Sequence, residues 1–190
     1  MSLSLLSPPM NEPIALDDIK SHLRISNSDD DTAIAGLQVA ARHALEARSG
    51  VAFLPQQWRF RTKKPASRDI ILPVTPVLSI DEVRLIHADG TQTELDEDAY
   101  SIELGSIGRI HLTNAPTSLL TLNGRSHTRL EIVFTAGYNS NEAIPEELRH
   151  AIRLLTAHFF ETRESASENR VFSIPRSIDA LLAPYRRIAL

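Results

Sequence analysis

The 190-residue chain contains no cysteine. Disulfides, thiolate catalysis and cysteine-based metal sites are therefore excluded, and the composition fits a reducing compartment. Aromatic residues make up only 5% and there are 7 glycines, which leaves little for a Gly-rich cofactor cradle. No apolar run approaches the ~18 residues that a membrane span needs, so a soluble chain without membrane contact is expected. The N-terminus, MSLSLLSPPMNEP, has neither the basic n-region nor the long h-region of a signal peptide. Surplus positive charge is missing as well. A net charge of −4 argues against a dedicated duplex-DNA binder with a broad basic face. There is no internal repeat and no low-complexity segment.

Hydrophobic residues make up 42%, and the length suffices for one domain with a real core. The stretch IPEELRHAIRLLTAHFFETR, Ile144 to Arg163, predicts the main core helix. Pro145 suits its first position, and Glu146 and Glu147 suit the positive end of its dipole. Leu148, Ile152, Leu155 and Phe159 form one stripe at helical period, with Ala151 beside them. Leu154 and Phe160 fall outside that stripe, so a second element or another subunit must cover them.

Upstream, residues 1–13 carry Pro8, Pro9 and Pro13 without periodicity and read as a flexible arm. LDDIKSHLRI predicts a short helix on Leu16, Ile19 and Leu23. NSDDD (27–31) has the wrong spacing for a calcium loop and reads as a helix N-cap with acidic first-turn residues. A second helix follows over Asp31 to Ser49, with Ile34, Leu37, Ala41 and Leu45 on one stripe. Ala33, Ala40, Ala44 and Ala47 lie on the neighbouring face, and Gly50 is the expected C′ residue.

From Val51 the period changes to two. In QQWRFRTK, Trp58, Phe60 and Thr62 alternate with Arg59, Arg61 and Lys63. Lys64 and Arg68 extend this basic face. Residues 51–80 hold five basic and one acidic residue, whereas 81–144 hold four basic and ten acidic. The basic band reads either as a contact for phosphate or an acidic partner subunit, or as a plain solvated strand face. IILP (70–73), Ile80 to His87, Thr91 to Leu95, Tyr100 to Leu104 and Arg109 to Leu112 predict further strands, with Ala88-Asp89-Gly90 as a turn. Residues 113–127 read as a loop or loose hairpin. RLEIVFTA predicts a half-buried strand with Leu130, Ile132, Phe134 and Ala136 inward. ESASENR is a hydrophilic loop, Arg176 to Ala183 a short last helix, and PYRRIAL a basic, apolar tail.

Catalytic patterns are missing. His150 and His158 are eight apart, not the i, i+4 of a zinc-protease helix, and the other five histidines have no Ser or carboxylate at motif spacing. There is no GxSxG elbow and no phosphate-binding Gly loop. No catalytic residue, cofactor or metal ligand is assigned. The expected class is α+β. An N-terminal helical hairpin and a long C-terminal core helix form a bundle, with an antiparallel β-sheet subdomain inserted between them (14–50 helical, 51–138 mainly β, 144–186 helical, 187–190 tail).

The order of motifs carries more than any one of them. LDDIKSHLRI, NSDDD, IAGLQVAARHALEARSG, QQWRF, Ile71 to Val77, the strand–ADG hairpin, FTAGY, IPEELRHAIRLLTAHFFETRE and LLAPYR follow one another over residues 14–185. In this order they resemble the head–tail connector (adaptor) family of tailed bacteriophages, which also occurs in prophages and gene transfer agents. The density of basic residues in RFRTKK is a departure from the family pattern. The resemblance implies a non-enzymatic protein of the virion neck, assembled from the host cytoplasm. Its ring, dodecameric in the particle, would sit beneath the portal protein, extend the DNA channel and offer a platform to stopper or tail proteins.

On that reading the tail residues Tyr185, Arg186, Arg187, Ile188 and Leu190 are candidates for portal docking. Arg59, Arg61, Lys63 and Lys64 are candidates for DNA or acidic-partner contact. Leu154, Phe160, Ala40 and Ala44 are candidates for the subunit interface. The alternative is a nucleic-acid-binding accessory protein of DNA packaging that uses the basic band.

Overall fold

The computed structural model describes residues 1–62, 68–113, 129–162 and 175–186. In chain order its elements are β1 (Ser2–Ser7), α1 (Leu16–Leu23), α2 (Asp31–Ser49), β2 (Gln56–Thr62), β3 (Asp69–Ile71), β4 (Val77–Ile86) and β5 (Gln92–Glu94). Then come β6 (Tyr100–Glu103), β7 (Arg109–Leu112), β8 (Arg129–Ala136), α3 (Glu146–Thr162) and α4 (Arg176–Leu182), with short 3₁₀ turns at Glu97–Ala99 and Ala183–Tyr185. The class is α+β with antiparallel sheets. The chain divides into two units, Met1–Pro9 with Pro55–Asn139, and Met10–Leu54 with Ser140–Leu190. No helix among the described residues is long and apolar enough to cross a membrane.

The first unit holds both sheets. One has the strand order β1-β2-β8-β4-β5 and the other β3-β7-β6. Strand β8 lies between β2 and β4, which explains a difference from the sequence reading. Leu130, Ile132, Phe134 and Ala136 are buried as expected, but Glu131 and Val133 are buried too. A strand flanked on both sides and covered on both faces no longer shows plain alternation. The register places Phe60 against Ile132, Trp58 against Phe134 and Val83 against Ile132, so their apolar side chains share one face. In the small sheet Ile70 and Ile110 pair and are buried. At Gly108 the chain passes so close to Val77 that an added Cβ would lie 2.1 Å from its Cγ2. Only glycine fits there.

The arm expected over residues 1–13 is different in the structure. Ser2–Ser7 forms the edge strand β1, paired antiparallel with β2 from Ser2–Arg61 to Ser7–Gln57. A six-residue strand with a bulge near Leu6 and two prolines behind it leaves too little periodicity to read from the sequence. Residues 10–13 belong instead to the helical unit.

The helical unit is organised around α3, which contacts α1, α2 and α4. Leu148, Ala151, Ile152, Leu155 and Thr156 are its buried residues, and Phe159 is half-buried. The Pro145 carbonyl accepts the first helical hydrogen bond from Arg149 at 3.2 Å, so Pro145 stands one position before the helix rather than in it. Helix α2 ends where expected, on Gly50 in the left-handed region at φ 75°. Its start differs in detail. The Asp30 side chain makes no capping hydrogen bond to the first turn, and Asp31 reaches Lys20 of α1 at 2.7 Å.

The buried face of α2 is more polar than its apolar stripe predicts. Gln38, Arg42, Glu46 and Ser49 are buried beside Ile34, Ala41 and Leu45. Gln38 Nε2 donates to the Ile14 carbonyl at 2.6 Å. Arg42 makes a two-point contact with Glu12 at 2.9 and 3.0 Å and also donates to Glu46 at 3.0 Å. Glu46 in turn accepts the Phe53 N–H at 2.9 Å. Burial works against the charge on Arg42, but the Glu12 hydrogen bond and the charges of Glu46 and Glu12 outweigh it and raise its pKa. One network thus fixes the segment before α1 and the segment after α2.

Candidate interaction surface

The basic face of β2 is the strongest surface signal in the sequence, and the structure shows what it rests on. Arg61 of β2 pairs in register with Glu131 of β8, and Glu131 with Arg84 of β4. Arg84 pairs with Glu94 of β5, and on the other side Ser2 of β1 pairs with Arg61. One row therefore crosses all five strands as Ser2, Arg61, Glu131, Arg84, Glu94, with every side chain on one face. The Glu131 side chain is 3% exposed and lies beneath three guanidiniums. Arg61 donates to it, Arg84 approaches at 2.9 Å and Arg59 at 3.5 Å. Arg84 also donates to Glu82 and, at 2.9 Å, to Gln92. Next to this row, Asp81 accepts from Gln57, Thr135 and Ser79 at 2.7 to 3.1 Å.

The sheet face is thus a charge-balanced ladder, not a cationic stripe. Glu131 and Arg84 were missed as members because only strand pairing brings them to Arg61. Glu131 falls on the polar side of RLEIVFTA as plain alternation places it, so nothing local marks it. Lys63 and Lys64 lie outside the described residues. Arg59 is the exception within the ladder, for it donates no hydrogen bond among the described residues.

The C-terminal candidates are partly committed to their own unit. Tyr185 Oη donates to Glu147 of α3 at 3.1 Å. Arg186 donates to Asp179 of α4, which also holds Arg48 of α2 through two bonds of 3.1 Å. The Arg48 guanidinium, with Arg186 second, holds the Asp179 carboxyl below its usual range. Tyr185 and Arg186 therefore fasten the end of the chain to the helices. Arg187, Ile188 and Leu190 lie outside the described residues.

The interface candidates on the helices are not brought together as one patch. Ala40 is exposed, whereas Ala44, Leu154 and Phe160 are half-buried. Apart from Met10 of the helical unit, the other exposed large apolar side chains among the described residues lie in the β unit. Leu3 and Leu5 on β1 are 41% and 38% exposed, and Ile71, Ile102, Leu104 and Ile107 are 44 to 51% exposed. Among the described residues no group of three His, Asp or Glu side chains is placed to hold a metal. His22 and His150 meet edge to face with ring centres 6.3 Å apart.

Against known proteins, the model of the family described as "Head completion protein" matches residues 12–188. Among solved structures, a chain from the neck of an empty gene transfer agent particle, computed with C6 symmetry, superposes with a TM-score of 0.78 at 25% identity. It covers 100% of this chain and 97% of its own. A chain from the neck of the native particle, computed with C12 symmetry, gives 0.74 at 25% identity over the same shares. A chain from the virion of the native particle gives 0.76 at 24%. No curated protein matches the sequence.

Proposed function

The chain belongs to the head completion protein family, and on that premise we propose that it is a structural subunit of the virion neck, a head–tail connector. It forms a cyclic ring under the portal protein, continues the DNA channel, and offers its far side to stopper or tail proteins. The observation that carries this reading is the likeness along the whole chain to subunits of a gene transfer agent neck described with C6 and C12 symmetry. A cyclic assembly joins copies head to tail through two different patches. The net charge of −4 supports the same reading, because a channel that DNA must slide through gains nothing from a run of free cations. The tail from Arg187 onward, held at its base by Tyr185 and Arg186, docks on the portal.

The test is the mass of the full-length protein by light scattering, alone and with the portal of the same particle. A ring, or a monomer that joins the portal in a fixed ratio, is the expected result. A monomer that ignores the portal but binds duplex DNA would replace this reading with a packaging accessory role.

A further inference from the structure

A ring leaves open which surfaces meet between copies, and the first unit carries two that complement one another. Arg59 is half-buried on β2, with its nearest ionic neighbour, the Glu131 carboxylate, at 3.5 Å. That carboxylate is already taken by Arg61 and Arg84. Arg59 and Arg61 pair across the strand with Ser4 and Ser2 of the edge strand β1. Two short side chains at the rim leave the guanidiniums open from that side. On the reverse face of β1, Leu3 and Leu5 are 41% and 38% exposed, so the rim joins a cationic side to an apolar one.

The other end of the same sheet has the opposite charge. Glu94 ends β5, and Asp96 and Glu97 follow it. All three are exposed, and among the described residues none has an ion-pair partner. Tyr100 beside them has its phenol pKa raised by burial first and then by the charges of Glu97 and Glu94. Four strand spacings separate the two rims, about 19 Å along the sheet. Patches of opposite charge on opposite sides of one unit are what a head-to-tail contact needs and what a two-fold contact does not.

We infer that neighbouring copies meet through these rims, with Arg59 of one copy facing Glu94, Asp96 and Glu97 of the next, while Arg61 stays spent on Glu131. The occupant of each patch is a second copy of this chain. The inference rests on the ring reading above and names its contact. The apolar rim of Leu3 and Leu5 supplies the buried area, and the charges set direction and register.

The experiment uses the full-length protein assembled on its portal, with ring yield read by sedimentation and folding checked by circular dichroism. Arg59→Glu alone, and Glu94→Arg with Glu97→Arg, each place like charge at both rims. Both are expected to lower ring yield several-fold, more at low salt than at high. All three substitutions in one chain exchange the signs of the two rims and are expected to restore assembly. Arg59→Gln, which adds no carboxylate near Glu131, gives a smaller loss and guards against misfolding of the reversed variant. Should the wild type form rings while the reversed variants assemble equally well, or the combined chain fail to recover although folded, the rims are not the contact and the ring reading stands. A wild type that never forms a ring removes the ring reading and this contact with it.

Discussion

Glu131 shows how one residue changes what its neighbours can do. Arg59 and Arg61, which the sequence offers as contacts for DNA or an acidic partner, become neighbours of Arg84 in a ladder once a 3%-exposed carboxylate lies under all three. Glu131→Gln keeps the shape and removes the charge. The guanidiniums around it remain 27 to 40% exposed, so water takes up part of the loss. The expected destabilisation is about 1–3 kcal/mol, read by urea unfolding. Asp179 is a second such residue. Its pKa is depressed by Arg48 and then Arg186, so its contribution is present above the ordinary carboxylate range and is lost as pH falls through the depressed value. Asp179→Asn is expected to abolish that acid dependence and to speed hydrogen exchange at the Arg186 amide, which donates to the Ala183 carbonyl. Unchanged exchange would show that Arg48 and Arg186 do not fasten the chain end.

At the scale of elements, the legible parts were those with a strong local period or a turn that only one residue type can make. Helix α2 ends on Gly50, and the turn at Gly90 has φ 86°, both as their sequences predict. Strand β1 was not legible, since SLSLLS becomes a strand by pairing with β2 and not by its own pattern. The polar face of α2 was missed for the same kind of reason. Gln38, Arg42 and Glu46 look like surface residues until Ile14, Glu12 and Phe53 come to meet them. Gly108 gives a test at this scale. Gly108→Ala sets a methyl against the β-branched Val77, which cannot swing aside, and is expected to cost about 1–3 kcal/mol by thermal unfolding. An unchanged melting temperature would mean that the β7 approach to Val77 is not close.

For the whole molecule, charge is the property that decides between readings. The net charge of −4 and the pairing of Arg61 with Glu131 predict that duplex DNA is not retained at physiological salt, which fluorescence anisotropy on a labelled duplex would check. Tight, salt-sensitive binding would favour the packaging role. By itself the sequence determined the α+β class, the positions of the long helices, the absence of thiol chemistry and, through the order of its motifs, the family. These follow from local periods, from composition and from residues compared one by one along the chain. Only the tertiary structure decided which charges are spent and which are left over. Arg61 and Arg59 are two residues apart and identical in type, yet Arg61 donates to Glu131 while Arg59 does not. That difference comes from strand register between segments 70 residues apart, and no local pattern carries it.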